Sequence, residues 1–196
     1  MNQQQWRCKL GPGAPEARLA SWLQEPDSLT ARCRRASGQF RIRLLRSGLI
    51  QPIADETTRQ QLVRGREVLL ECDGVPVIFA HSVLSTASNG RLTRWLAGLG
   101  SRSLGSLLFS FPGFQRGSLE FRRLDARHPL YRLAAPWAAG QPQLWARRSE
   151  HRLGRQVLCV TEVFLPAIRS LGRSGFNPTF LLNPGQSRVE TRPTQG

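Results

Sequence analysis

In 196 residues the sequence contains a single lysine, Lys9, and few acidic residues, 13 against 28 basic ones. It has no apolar run of the ~18 residues needed to cross a bilayer. Its first residues, Met1 to Trp6, lack the apolar stretch of a secretory signal. Both absences lead us to expect a cytoplasmic protein with no transmembrane segment. Cysteine is scarce and scattered: Cys8, Cys33, Cys72 and Cys159 form no C-x-x-C pair. Reduced thiols are therefore expected, not a disulfide framework or a zinc site. Also missing are a Walker loop, G-x-S-x-G, H-E-x-x-H and G-x-G-x-x-G, and the three histidines have no ligand spacing.

The sequence does carry a net charge of +15, almost all of it arginine. Two readings compete: a nucleic-acid binder, or an arginine-rich surface with a few arginines reserved for an anionic substrate. The arginines run from Arg7 to Arg192 without forming an arm, and no zinc finger or RNP motif interleaves them. Specific nucleic-acid binding is the weaker expectation; non-specific adhesion follows from the charge alone. Hydrophobic residues at 40% exclude wholesale disorder, and the length suits one domain with tails.

Along the chain, residues 1–14 read as a leader. Pro15 opens a short helix in which Leu19, Trp22 and Leu23 share a face. Asp27-Ser28 offers a cap for a second helix through Leu29 and Cys33. Phe40 to Leu44 alternates as a strand, which Ser47-Gly48 is expected to turn. Two β-prone runs, Arg66–Cys72 and Val75–Leu84, flank Asp73-Gly74, the strongest hairpin signal in the chain. Leu92, Trp95, Leu96 and Leu99 share a helical face. Ser103 caps a further helix carrying Leu104, Leu107 and Leu108. Leu119–Phe121 reads as a strand and His128–Gln143 as an excursion of low regularity. Leu144–Ser149 and Val157–Leu165 are strands around a Gly154-Arg155 turn. Residues 171–196 read as a flexible tail, leaving 15–170 as the domain. Tight turns between strands imply antiparallel pairing. The expected class is α+β: an antiparallel sheet flanked by helices.

Glu162 is the most informative single residue. By alternation it shares a strand face with Leu158, Val160 and Phe164, where a carboxylate is costly unless paired or hydrogen-bonded. An internal salt bridge or a reach to solvent explains it as well as a functional role does. Arg66 opens the first strand of the hairpin and offers a bidentate fork for a carboxylate, though a solvated strand-end arginine is the plainer reading. The backbone N–H of Leu104 is one of the unpaired donors of a helix start, which favours anions. Leu29, after the Asp27-Ser28 cap, is a weaker case of the same kind.

These positions fall within stretches that resemble the chorismate lyase family. They are Trp22-Leu23 with Asp27-Ser28-Leu29-Thr30; Arg66 to Leu70 with Asp73-Gly74; Leu99-Gly100 with Leu104-Gly105 and Leu108-Phe109; Leu144-Trp145 with Arg147-Arg148-Ser149; and Thr161 to Pro166. The resemblance implies an enclosed ligand pocket and a cofactor-independent carbon–oxygen lyase without a metal. Its substrate would be chorismate, and its products 4-hydroxybenzoate and pyruvate, at the first committed step of ubiquinone formation. It implies that Arg66 grips the ring carboxylate, assisted by the Leu104 backbone, that Glu162 faces the ring hydroxyl, and that Leu29 contacts the substrate where Met is frequent. His81 stands where Arg is more usual and Ser85 replaces a Pro, departures that bear on substrate entry or a second anion contact. A monomer is expected. The alternatives are a non-catalytic effector-sensing module of the same fold, which would normally carry a helix-turn-helix domain for which residues 1–14 leave no room, and a basic nucleic-acid-binding protein.

Overall fold

The computed structural model describes residues 5–57, 61–84, 90–105 and 113–172. Among these residues one sheet of seven strands forms the centre: β1 (Phe40–Ile50), β2 (Val63–Cys72), β3 (Val75–Leu84), β4 (Gln115–Arg116), β5 (Glu120–Asp125), β6 (Gln143–Leu153) and β7 (Gln156–Phe164). Their spatial order is β1-β2-β3-β7-β6, and β4 and β5 share the outer edge of β6. Every pairing is antiparallel. Helices described over their full length flank the sheet: α1 (Ala17–Leu23), α2 (Leu29–Ala36), α3 (Arg91–Ala97) and α4 (Pro129–Ala134). The fold is the α+β class expected.

The local signals that hold are those with a backbone reason. Asp73 and Gly74 sit at φ 50 and 81, the left-handed pair that a tight two-residue hairpin requires. Ser28 caps α2, its Oγ accepting from the Ala31 N–H at 3.3 Å. Three expectations need correction. The Ser47-Gly48 turn does not form; β1 runs through it, with Ser47 opposite Arg66 and Gly48 opposite Gly65, after an irregularity between Leu44 and Arg46. The bulge absorbs the break that the sequence pattern signals. The excursion at 128–143 contains α4, opened by Pro129 and capped by the His128 ring, with Leu130 and Ala134 buried one turn apart. Arg66 is not at a strand end but lies within β2, paired on both sides. The helix expected after Ser103 begins at Leu104-Gly105, and its Leu107 and Leu108 lie outside the described residues.

Alternation gives the sheet two faces. On the near face, Leu19, Trp22 and Leu23 of α1 and Leu29 and Cys33 of α2 pack on Val68, Leu70, Ile78 and Phe164. Beside them, Leu92 and Leu96 of α3 pack with Leu84, Leu104 and Leu158. On the far face, Leu69, Phe79, Ala146 and Val163 pack against Leu130 and Ala134 of α4, with Trp137 stacked on Phe79 at 6.1 Å. Both ends of the described chain are fastened to this body. Trp6 donates to Asp55 at 2.7 Å, and buried Leu171 accepts from Arg18.

Candidate active site

Under the α1–α2 connection, the near face of the sheet bounds a narrow cleft with about 60 Å³ of free space. Strand register fixes what lines it. One row across the sheet reads Arg66, Ser82, Val160, Ser149. The next reads Val68, Ala80, Glu162, Arg147. A third, on the other side of the first, ends in His151 and Arg116. Leu29 and Leu104 close the cleft from the helix side. The structure thus brings together all four site residues read from the sequence: Arg66, Glu162, Leu104 and Leu29.

Arg66 is 2% exposed, and its Nε and Nη2 donate to the carbonyls of Gly100 and Arg102, both at 2.9 Å. Among the described residues, these bonds use two of its five N–H donors. Among the described residues no carboxylate is paired with it, whereas most buried guanidinium groups have one. Burial lowers its pKa to about 10, so it remains a cation at neutral pH. The two carbonyl bonds also anchor the segment that leads into Leu104. Gly105 completes that approach: a Cβ there would lie 2.9 Å from Ser28 Oγ, so glycine lets the 104 turn close against the α2 cap.

Glu162 is held by Arg147, whose Nε donates to Oε2 at 2.6 Å. The same guanidinium donates from Nη1 to the carbonyls of Leu23 at 3.2 Å and Glu25 at 2.7 Å. A cation there satisfies the end of α1. Arg116 adds a bond to the Pro26 carbonyl. Ser149 Oγ lies 3.1 Å from His151 Nε2. Burial, then the charges of Arg116 and Arg147, push the His151 pKa down to about 4, so the ring is neutral near pH 7.

Sequence reasoning assigned no role to Arg147, Arg116, Ser149 or His151. The signal for three of them was present: counting back from the Gly154-Arg155 turn sets Arg147 opposite Glu162 and puts Ser149 and His151 on the same face. His81 is a correction in the opposite sense. It lies on the far face, opposite Glu67, and takes no part in the cleft. Ser85 lies outside the described residues.

The far face holds its own charged groups, several of them paired among the described residues. His81 Nε2 is 3.3 Å from Glu56 and Nδ1 is 3.2 Å from Glu67, at ion-pair distance although not aligned as hydrogen bonds. Burial lowers the His81 pKa, but the two carboxylates outweigh it and hold the group up at about 9. Arg41 and Arg43 both bind Glu71, and Arg148 binds Glu120. Asp55 accepts from Trp6 and Arg122 and faces His128.

An antiparallel sheet roofed by helices, with a buried arginine in the cleft between them, defines a protein of the α+β class. The family described as chorismate lyase matches residues 5–173, and the chain belongs to that family. A probable chorismate pyruvate-lyase of Dechloromonas aromatica is 62% identical over 175 residues, covering 87% of this chain and 99% of that one. One from Ralstonia nicotianae is 42% identical over 174 residues, covering 83% and 89%. Among solved structures, the effector domain of PhnF from Mycobacterium smegmatis gives a TM-score of 0.45 at 14% identity over 71% of this chain and 89% of that one. No described helix is long and apolar enough to cross a membrane.

Proposed function

We propose that the protein converts chorismate to 4-hydroxybenzoate and pyruvate, and so supplies the aromatic ring for ubiquinone. The observation that carries this reading is Arg66: a buried guanidinium facing a small-molecule cleft, bonded to carbonyls and lacking a carboxylate among the described residues. A substrate carboxylate supplies the missing partner. The ring carboxylate sits on the remaining N–H groups of Arg66, beside the backbone of Leu104, with Leu29 against the ring. Glu162, oriented by Arg147, takes the ring hydroxyl.

The chemistry asks for little else. The ether bond between ring and enolpyruvyl arm breaks. The hydrogen on the hydroxyl-bearing ring carbon passes to the methylene of the arm, which becomes the methyl of pyruvate. The ring gains the double bond that makes it aromatic, which supplies the driving force. The protein's contribution is orientation and exclusion of water, worth ~7–11 kcal/mol in favourable cases. No cofactor is assigned to the reaction, and the protein acts as a cytoplasmic monomer.

Purified protein mixed with chorismate, followed by the absorbance of 4-hydroxybenzoate and by pyruvate release, tests the reading. Stoichiometric appearance of both, persisting in EDTA, is the expected result. Absence of turnover sinks the reading, and loss in EDTA restored by a divalent metal sinks the cofactor-free mechanism.

A further inference from the structure

Arg66 reaches the cleft on a long side chain, and a guanidinium fork grips a carboxylate only when it is aimed. Strand pairing places its backbone, but both of its side-chain bonds go to one turn outside the sheet, to the carbonyls of Gly100 and Arg102 at 2.9 Å. We propose that this turn, Leu99 to Arg102, sets the direction of the Arg66 fork, and that Arg102, an exposed residue outside the cleft lining, is a positioning residue that holds the turn closed. The inference rests on the reading of Arg66 as the anion anchor and specifies what aims that anchor.

Three observations carry it. The first is the backbone. The Arg102 N–H donates to the Leu99 carbonyl at 3.0 Å, which closes a four-residue turn, and Gly100 in its second position has φ 53. A Cβ on Gly100 would meet nothing within 4 Å, so glycine serves the conformation there and not the packing. The second is the Arg102 side chain, which folds back on its own turn. Its Nε donates to the Leu99 carbonyl at 3.3 Å and its Nη2 to the Gly98 carbonyl at 2.5 Å. Gly98 directly follows α3, where the negative end of the helix favours a cation. Among the described residues Arg102 has no carboxylate partner, so its guanidinium is given over to these carbonyls. The third is anchorage. Leu99 is buried with Leu92 and Leu96 of α3. The start of the turn is thus fixed by apolar packing, and Arg102 ties its end back to that start. Arg102 therefore acts twice: its carbonyl accepts from Arg66, and its guanidinium keeps that carbonyl in place.

When the turn loosens, the guanidinium keeps its charge and loses its aim. The ring carboxylate is present in chorismate, in the transition state and in 4-hydroxybenzoate. A contact made equally in all three is read in KM and in product affinity, and leaves kcat alone.

The test uses the full chain, with calorimetric Kd for 4-hydroxybenzoate and KM and kcat for chorismate. Arg102→Ala is expected to raise the Kd and the KM together by ~5–10-fold while kcat stays within ~2-fold. Arg102→Lys should lose less, since an ammonium can still bond the two carbonyls. Gly100→Ala should weaken binding more than Gly100→Asn, because asparagine tolerates the left-handed conformation. The decisive readout is the double variant. In an Arg66→Ala background, Arg102→Ala should change the 4-hydroxybenzoate Kd by less than ~2-fold, since nothing is left to aim. The same loss with and without Arg66 overturns the inference, as does an Arg102→Ala single variant that binds like wild type. If Gly100→Ala does not fold, the exposed Arg102 variants carry the test. A wild type that binds 4-hydroxybenzoate but leaves chorismate untouched overturns the function reading, while the Kd values still decide the role of Arg102. A wild type that does not bind 4-hydroxybenzoate overturns both.

Discussion

The two faces of the sheet bury the same kinds of side chain to different ends. Among the described residues of the far face, charges meet their opposites: buried His81 lies between Glu56 and Glu67, buried Glu71 between Arg41 and Arg43, and half-buried Asp55 between Arg122 and His128. On the near face Glu162 has Arg147, but Arg66 has two carbonyls in place of a carboxylate. Carbonyl dipoles orient a guanidinium without cancelling its charge. Burial alone therefore does not mark a functional residue; burial with an incomplete set of partners does. Substitutions at four positions break or sharpen that contrast.

Arg147→Met should be the most damaging. It leaves Glu162 as an uncompensated carboxylate and releases the Leu23 and Glu25 carbonyls. Such a break costs about 3–5 kcal/mol of stability, read from urea denaturation. A loss below about 1 kcal/mol would show that Glu162 is adequately solvated without its partner.

Arg66→Ala should separate binding from stability. It should weaken 4-hydroxybenzoate binding by ~10²-fold, about 3 kcal/mol, and lower stability by less, because only carbonyl bonds are lost inside the protein. Arg66→Lys should recover part of the affinity, since an ammonium lacks the fork. Wild-type affinity in Arg66→Ala would mean the anion anchor lies elsewhere in the cleft.

His81→Gln should do the reverse, costing stability and sparing the cleft. The His81 pKa is raised in the fold to about 9, from an ordinary 6.5. Its contribution is then complete below 6.5 and disappears as pH rises through 9. The stability gap between wild type and variant should shrink by at most about 3 kcal/mol from pH 6 to pH 10, with chorismate turnover at pH 7 changed little. A gap that stays constant across that range would show that the ring is not held as a cation.

Arg43→Ala should matter least. The side chain is 44% exposed, and Glu71 keeps Arg41. Arg43 is partly solvated and the buried Glu71 retains a second arginine, so its loss should cost about 0–1 kcal/mol; thermal unfolding should barely move, and a large shift would promote the far-face edge to a structural element.

The sequence carried much of this architecture wherever a local rule was decisive. Asp73-Gly74 sets the central hairpin, Ser28 starts α2, and alternation along β7 places Glu162 with Val160 and Phe164. Other features depend on distant partners. The carbonyls that hold Arg66 come from residues 34 and 36 positions away, and no local pattern announces them. Helix α4 was obscured by the surrounding Pro, Ala and Gly, although its core contacts are plain once it packs on the far face. His81 is instructive in another way. Counting back from the Asp73-Gly74 turn in unbroken register would set His81 opposite Arg66. The irregularity between Leu70 and Glu71, where Pro76 pairs, shifts the register by one, so Ser82 stands there and His81 turns to the other face. A single-residue slip reverses every side chain beyond it.

Arg147 illustrates how one residue can limit the adaptability of a site. Its guanidinium joins Glu162 on the floor of the cleft to the Leu23 and Glu25 carbonyls in its wall. A substitution meant to retune the carboxylate also releases the wall, so the two properties cannot be varied separately at that position. Re-engineering the cleft for a differently substituted ring is better begun at Val68, Ala80 and Val160, which line it with apolar side chains alone. Changes there alter the shape of the space and leave the frame of guanidinium contacts in place.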